Sequence, residues 1–336
     1  MCLKSNRLIP YTAEKDIKVF KAIVMKGDGY VTSFWNYPVK LGEMLIPSET
    51  HIYDKMECNN NSHQTYVSIQ DGYIHAYFDK RCFYLSPSFD SLFVESFIPK
   101  GTRYYIDMDL DTICAERLFI TDRFVDFNDI CLSKEEEFNV LKPLYEEIAS
   151  KGVSSGWLVK SDKSFISPLD YDDGMLDDII GIVGFIRKRE KYVISLRDLN
   201  TVWYVQHRNC FGTCVVDIYK DYNGKEYTEN VRKHLNSSNQ NFSAFETCLE
   251  YQTKNTNKGD WYLPSSGELY EALCKNHVEM NAALYRLFSD TFSSAWLSYL
   301  SSTDFLGGEI KQKVYNNPHT IRLNETRKFV RAFLRI

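Results

Sequence analysis

The sequence contains little proline and glycine, and it has no long apolar run. Its 336 residues include 9 prolines and 16 glycines without a periodic arrangement, which excludes collagen-like and low-complexity proteins. The longest strongly apolar run, Ile179 to Ile186, is much shorter than the ~20 residues that span a bilayer. Such a run is typical of a buried strand, and we predict neither a transmembrane segment nor a membrane partner.

The first twenty residues lack the pattern of a secretory signal peptide. The stretch MCLKSNRLIPYTAEKDIKVF contains Lys and Glu throughout, whereas a signal peptide has a continuous apolar segment after a basic start. We therefore predict a cytoplasmic or virion-associated protein, because a virion component leaves the cell by lysis and needs no export signal.

The chain also lacks an excess of positive charge. Its 40 Lys and Arg residues are outnumbered by 45 Asp and Glu residues, and the formal net charge is −5. A protein that binds nucleic acid in bulk needs a positive field, so we predict no such partner. Aromatic residues are plentiful at 15%, and they suit half-buried strands and recognition surfaces.

The cysteines do not follow the spacing of a disulfide framework. Nine is an odd number, and the intervals between them are irregular, so we expect reduced thiols. Cys210 and Cys214 are separated by three residues, with only His207 nearby. A zinc site or a redox pair is one interpretation, but we favour half-buried strand cysteines.

No complete catalytic motif is present. The sequence has no nucleophile elbow, Walker glycine loop, His-Glu-x-x-His helix or dinucleotide fingerprint. Three alternating carboxylates, Asp107, Asp109 and Asp111, are followed by Thr112 where a calcium loop needs glycine. The acidic residues between positions 170 and 178 do not fit that loop either. We therefore predict no catalytic residue, no metal site and no cofactor.

Two kinds of periodicity divide the chain. From Ile17 to Phe127, short alternating segments are separated by turn residues, which predicts a β-rich unit. The spacing of Ser133 and Glu136 is that of a capping box and begins an amphipathic helix. The second half starts with strands, changes to helical spacing after Tyr227 and closes with a strand at 327–336.

These patterns predict an α+β protein with two domains. A length of 336 residues is itself typical of about two domains. The predicted boundaries give a β-rich domain at 1–130, a helix and linker at 131–155, and an α+β domain at 156–336.

The most distinctive string, DWYLPSSGE, lies at Asp260 to Glu268. Trp261 and Leu263 are large apolar anchors, and Pro264 fits the start of a helix. Glu268 complements the positive end of that helix. The string therefore predicts a structural device, in which Glu268 supports the helix and has no general acid, base or metal partner.

This string and three later segments resemble the C-terminal domain of bacterial surface proteins and phage receptor-binding proteins related to C-type lectins. The later segments are Asn-Ala-Ala-Leu at 281–284, Ser-Ser-Thr at 301–303 and Val-Arg-Ala-Phe at 330–333. The resemblance covers 156–336 and implies a C-type-lectin-like α+β fold. The N-terminal half resembles a β-rich domain of unknown function from similar prophage or gut-bacterial proteins.

The resemblance implies a non-enzymatic ligand-recognition or adhesion protein whose partner is a protein or a glycan. Its binding surface is expected late in the chain, where aromatic and polar residues supply anchors and hydrogen bonds. The residues that we expect to bind the ligand are Trp296, Tyr299, Asp304, Glu309, Tyr315, Asn316 and Asn317. Trp296 taken alone is more typical of a core residue, and the oligomeric state stays open.

Two other functions stay open at the level of sequence. Formylglycine-generating oxidases offer a precedent for an enzyme on a related scaffold, although their cysteine pair is not recognisable in this chain. A cleft that unites His207, Arg208 and Glu268 would favour this alternative. A structural component of a phage tail, with interfaces that serve only assembly, is the second alternative.

Overall fold

The computed structural model describes most of the chain. The described residues are 3–5, 9–33, 36–47, 55–58, 65–69, 73–78, 91–107, 110, 112–202, 220–234, 243–289, 298–300, 302, 309–311 and 327–336. The chain divides into two compact units, Met1–Pro143 and Leu144–Ile336.

The first unit consists mainly of strands. Its strands are β1 (Leu3–Ser5), β2 (Tyr11–Thr12), β3 (Ile17–Lys26), β4 (Gly29–Thr32), β5 (Pro38–Val39), β6 (Met44–Leu45), β7 (Lys55–Cys58), β8 (Thr65–Ile69), β9 (Ile74–Tyr77), β10 (Leu92–Ile98), β11 (Arg103–Ile106), β12 (Thr112–Ala115) and β13 (Leu118–Val125). A 3-10 turn at Phe127–Asp129 follows, and helix α1 (Lys134–Ser150) crosses the division between the units.

A ten-stranded antiparallel sheet carries the core of the first unit. Eight strands lie in the order β2-β11-β12-β9-β3-β10-β13-β6, β4 joins at β3 and β5 joins at β4, and β1, β8 and β7 form a separate sheet. Residues 19–23 of β3 are all buried, because a strand in the middle of a sheet can be covered on both faces. The Tyr104 hydroxyl donates to the Val140 carbonyl at 3.4 Å, which attaches α1 to this sheet.

The capping box that the sequence predicts at the start of α1 is confirmed. The Ser133 amide donates to Glu136 Oε2 at 2.7 Å, and the Glu136 amide donates to Ser133 Oγ at 3.2 Å. These two bonds satisfy amide groups that have no partner inside the helix.

The second unit contains both strands and helices. Its strands are β14 (Leu158–Lys160), β15 (Phe165–Ile166), β16 (Ile179–Arg187), β17 (Glu190–Ser195), β18 (Leu199–Val202), β19 (Ser298–Leu300), β20 (Glu309–Lys311), β21 (Arg327–Val330) and β22 (Phe333–Arg335). Its other helices are α2 (Gly224–His234), α3 (Ser243–Glu250), α4 (Ser266–Leu269) and α5 (His277–Phe288), with a 3-10 segment at Asp173–Asp178 and a π-helical segment at Tyr270–Lys275.

The apolar run at Ile179–Ile186 forms a central strand that is buried on both faces as far as Phe185, which confirms its interpretation as a buried strand. Strand β16 lies in the five-stranded antiparallel sheet β15-β14-β16-β17-β22. One of its faces packs Ile182 against the α5 residues Met280 and Leu284. The other packs Val183 into a cluster with Trp261. A strand covered on both faces has no reason to alternate with polar residues.

The predicted α+β fold class, with a C-type-lectin-like α+β domain at 156–336, is wrong. The described residues are β-rich, with antiparallel sheets in both units and few helices. The helical spacing after Tyr227 yields short helices, of which the longest, α5, has 12 residues. Helical periodicity over two or three turns marks where helices are, but it does not show how many strands from distant parts of the chain pair in the sheets.

The closing segment forms two strands instead of the single strand that its alternation predicts. Strand β21 pairs with β18 in the sheet β18-β21-β19-β20, whereas β22 pairs with β17 in the five-stranded sheet. Between them, the buried Arg331 donates from Nη1 to the Ser195 carbonyl at 2.8 Å and from Nε to Asp198. These bonds hold the chain where it passes from one sheet to the other.

Candidate functional site

The Asp-Trp-Tyr-Leu-Pro string lies inside the second unit. Trp261 is fully buried, its Nε1 donates to Thr256 Oγ1 at 3.1 Å, and its ring meets Tyr251 edge-on with centroids 5.0 Å apart. The backbone of Tyr262 bonds to that of Phe333 in both directions, at 2.8 and 2.9 Å. The string therefore joins the segment before α4 to the last strand of the sheet.

Glu268 is a fully buried carboxyl group that the capping geometry places. It lies in the first turn of α4 and accepts from the Ser265 amide at 2.8 Å and from the Tyr262 hydroxyl at 3.2 Å. Burial raises the pKa of Glu268 from its ordinary value of 4.5 to about 7, against the opposing effect of these hydrogen bonds and of Arg335. Its acidity suits proton transfer, but the side chain is fully buried and bonded to Ser265 and Tyr262.

Glycine at position 224 makes room for this carboxyl group. A Cβ atom there would lie 2.3 Å from Glu268 Oε2 and 2.5 Å from the Ser265 amide nitrogen. Gly267 is equally confined, because its Cβ atom would lie 2.2 Å from the Asp221 carbonyl oxygen. The start of α2 and the start of α4 are thus packed backbone to backbone around Glu268.

Arg335 connects the buried carboxyl group to the surface. Its guanidinium lies 3.4 Å from Glu268 Oε1 and 3.3 Å from Glu226 Oε1, and it packs over the Tyr192 ring at 4.9 Å. Burial works against the charge of Arg335, but the neighbouring Tyr262, Tyr192 and carboxylates together raise its pKa. The guanidinium therefore stays charged at any physiological pH.

A row of rings and guanidinium groups extends outward from Arg335. Phe185 stacks on Tyr192 with centroids 4.2 Å apart, Tyr222 meets Phe185 edge-on at 6.1 Å, and Arg187 lies 3.5 Å from the centroid of Tyr222. We call these five residues the arginine–aromatic row. Its two ends are cationic. Arg335 already contacts Glu268 and Glu226, whereas the Arg187 guanidinium packs on the Tyr222 ring.

The half-buried Tyr222 is fixed from its other side as well. Its hydroxyl donates to Glu271 Oε2 at 3.1 Å, and Lys275 pairs with the same carboxylate at 2.8 Å. Burial and the Glu271 carboxylate raise the pKa of Tyr222 to about 12. The phenol therefore remains neutral, and these contacts fix the position of its ring.

Asp178, in the acidic loop of the second unit, forms local ion pairs and a hydrogen bond. Asp178 accepts from the Ser161 hydroxyl and lies 3.0 Å from Lys254 Nζ and 3.4 Å from Lys160 Nζ. These hydrogen bonds lower the pKa of Asp178 to about 2. Within the residues that the structure describes, no group of three or more His, Cys, Asp or Glu side chains is arranged to hold a metal ion.

The ligand-binding residues predicted from the sequence fall largely outside the described part of the chain. Those outside it are Trp296, Asp304, Tyr315, Asn316 and Asn317, together with His207, Arg208, Cys210 and Cys214. Tyr299 and Glu309 are backbone positions of the paired strands β19 and β20, where Tyr299 opposes Ile310. The Ser302 amide, which follows β19, donates to the Pro264 carbonyl at 2.7 Å.

The Asp-Trp-Tyr-Leu-Pro string has the structural role that its sequence predicts. Trp261 and Leu263 are buried, and Glu268 lies in the capping turn of α4. The arginine–aromatic row was missed, because it joins positions from 185 to 335 that have no common motif. One signal was visible: Arg187 begins the string RKREK, a concentration of basic residues between two strands.

A buried lysine in the first unit was also missed. Lys21 Nζ donates to the His75 carbonyl at 2.6 Å, and burial lowers the pKa of Lys21 to about 8 and that of His75 to about 3. The signal in the sequence is a lysine in register with buried Val19 and Ile23 along β3. Such a position predicts an ammonium group within the sheet.

Comparisons of the chain with protein-family models, with curated proteins and with solved structures gave no match. The resemblance to the C-type-lectin-related domain is therefore still a prediction. Among the described residues, no helix combines the length and the apolar character that crossing a membrane requires.

Proposed function

We propose that this protein is a non-enzymatic recognition protein, in which the segment between α5 and β21 binds a glycan or protein ligand. The observation that carries the proposal is the anchoring of this segment to a rigid frame. The segment leaves α5 at Ser289, is bonded to Pro264 through the Ser302 amide at 2.7 Å, and returns at Arg327.

The residues to which the segment is attached form a rigid frame, and such a frame supports a role in displaying the segment to a ligand. Trp261, Leu263 and Phe333 are fully buried, and Tyr262 is bonded through both backbone and side chain. A rigid scaffold that positions variable connections is the usual arrangement of recognition proteins. Aromatic and amide side chains of the segment, such as Trp296 and Asn316, are the residue types that such surfaces use.

The chemistry of the frame favours binding over catalysis. Glu268 has a pKa near neutrality, but it is fully buried and already engaged with Ser265, Tyr262 and Arg335. A general acid or base must come within hydrogen-bond distance of the proton that it transfers. Glu268 therefore serves the frame, and the enzyme alternative receives no support from it.

The experiment uses a glycan array with the full chain and the double variant Trp296→Ala, Tyr315→Ala. We expect the double variant to lose about tenfold or more of the array binding, because aromatic anchors dominate binding energy. We expect its thermal midpoint to change by less than about 2 °C, since side chains that serve ligand binding contribute little to the core.

The matched control removes two exposed aromatic residues from the first unit, Tyr37→Ala with Phe124→Ala, whose exposed fractions are 42% and 44%. This control should bind the array as the parent chain does. Equal binding by the Trp296, Tyr315 variant contradicts the proposal, and a large drop in its thermal midpoint assigns these residues to the core instead.

A further inference from the structure

The turn between β16 and β17 concentrates positive charge on the second unit. Arg187, Lys188, Arg189 and Lys191 surround one acid, Glu190. Lys188 and Arg189 form the two-residue loop, where both are exposed and both have positive φ angles, 48° and 74°. This conformation directs two long cationic side chains away from the sheet at the tip of a hairpin.

The single acid of the turn does not neutralise these cations. The Glu190 carboxylate lies 3.9 Å from Arg335 Nε, so it is directed toward the far end of the arginine–aromatic row. Arg187 packs on Tyr222 at 3.5 Å, and Lys191 packs over Phe165 at 5.0 Å. Within the described residues, none of the turn's four cations forms an ion pair with a carboxylate.

Arg187 is prepared for an anion by the residue beneath it. Tyr222 is held by Phe185 and by Glu271, and its ring in turn fixes the plane of the Arg187 guanidinium. The guanidinium carbon lies 3.5 Å from the ring centroid, and arginine loses less conformational freedom on binding when its planar group is already restricted. The N–H edge of a stacked guanidinium matches the paired oxygens of a sulfate or phosphate ester.

We propose that the β16–β17 turn binds an anionic glycan that carries sulfate or phosphate esters. Arg187 is the oriented contact, and Lys188 and Arg189 add charge at the tip. The turn uses residues different from those of the segment between α5 and β21, so the two binding activities can be lost separately.

A glycan fits this surface better than a nucleic acid does. Single-stranded nucleic acids stack their bases on exposed rings, but Tyr222 is covered by Arg187, and Phe185 and Tyr192 are buried. A long phosphate backbone also needs many cations, whereas the whole chain carries a net charge of −5. Four cations in one turn suit a short run of ester groups.

The test replaces Lys188 and Arg189 with Asn and Gly, the pair that favours this two-residue turn. Binding of immobilised heparin by the full chain is measured over a series of NaCl concentrations. We expect the parent chain to bind with an affinity that falls as salt rises, and K188N/R189G to bind about tenfold more weakly. The thermal midpoint of the variant should be equal or higher, because the new residues suit the backbone.

Two further variants distinguish a specific contribution of the turn from a general effect of removing positive charge. Arg187→Met keeps the stem on Tyr222 but removes the guanidinium, and it should weaken heparin binding about fivefold. Lys163→Gly also removes a lysine with a positive φ angle from an exposed turn, and it should leave heparin binding unchanged. Undiminished binding by K188N/R189G overturns the proposal.

The choice of ligand class is tested with a single-stranded DNA 20-mer and with desulfated heparin. Both should bind about tenfold more weakly than heparin, because the turn has no free ring for a base and needs the ester groups. DNA binding as tight as heparin binding overturns the assignment to a glycan. Absence of heparin binding by the parent chain overturns the proposal altogether.

Discussion

Glu268 shows at the scale of one residue how burial prevails over pairing. The carboxyl group has three polar neighbours, Ser265, Tyr262 and Arg335, and each favours its charged form. Its pKa nevertheless rises to about 7, because removal of a charge from water costs more than these contacts return. Asp178 is the opposite case: hydrogen bonds from Ser161 and Lys254 lower the pKa of this less buried carboxylate to about 2.

Replacement of Glu268 by Gln should make stability depend less on pH. A carboxyl group whose folded pKa is raised from 4.5 to about 7 contributes stability that is fully present below pH 4.5 and is lost as the pH rises through 7. The loss is about 3 kcal/mol. The measurement is urea unfolding of the variant and the parent chain at pH 5 and at pH 8. The unfolding free energy of Glu268→Gln, relative to that of the parent chain, should be higher at pH 8 than at pH 5 by about that amount.

The control is Glu250→Gln, which removes an exposed carboxylate, with 63% of its side chain accessible, that pairs with Lys258. Its unfolding free energy should differ from that of the parent chain by less than about 0.5 kcal/mol at both pH values. A constant difference between Glu268→Gln and the parent at the two pH values would show that Glu268 is ionised in the folded protein throughout this range.

The short helical segments of the second unit depend on close contact between the start of α4 and the start of α2. Helix α4 has only four residues and the π-helical segment that follows it has six, lengths at which a helix has no stability of its own. The two segments persist because Gly267 lies against Asp221 and Gly224 lies against Ser265 and Glu268. Tertiary contact, rather than helix propensity, is what stabilises these turns.

Gly224→Ala should therefore destabilise the second unit. The added methyl group would stand 2.3 Å from Glu268 Oε2 and 2.9 Å from the Leu263 carbonyl oxygen, and neither group has space to move. Overpacking of this kind costs about 1 to 3 kcal/mol, which a thermal or urea unfolding experiment measures. Gly29→Ala, where no atom lies within 4 Å of the new Cβ atom, should change stability by less than about 0.5 kcal/mol.

For the molecule as a whole, the core of the second unit depends on contacts between residues that are far apart in the chain. Phe333 is fully buried in the cluster that contains Ile194 and Tyr262, and β22 pairs with β17 across more than a hundred residues. This last strand also positions Arg335 beside Tyr192. The end of the described chain thus completes both the sheet and the arginine–aromatic row.

Phe333→Ala should loosen the second unit broadly, because removal of a buried phenylalanine costs about 3 to 5 kcal/mol. Hydrogen exchange read from peptides should become faster in β17, at Tyr262 and in α5, all of which share its cluster. Phe288→Ala removes a phenylalanine with an exposed fraction of 38% and should leave exchange in β17 unchanged. Acceleration confined to β22 alone would contradict the role given to Phe333.

Local patterns were sufficient for several features. The strand β3, the apolar run of β16, the capping box of α1 and the buried Trp261 string follow from patterns and end signals within a few residues. The fold class was wrong because short helical periods do not show how much of the core the strands build. The closing segment was wrong because alternation does not reveal a change of sheet at Arg331.

The chain's order of residues specifies which segments become strands or helices and which side chains are apolar enough to be buried. It does not specify which distant positions meet. Arg187, Tyr222, Tyr192 and Arg335 come together only because β16, β17 and β22 pair and because α4 packs against the start of α2. Burial and pairing at such meeting points set the pKa of Glu268 and orient Arg187, since both depend on neighbours that no local pattern contains.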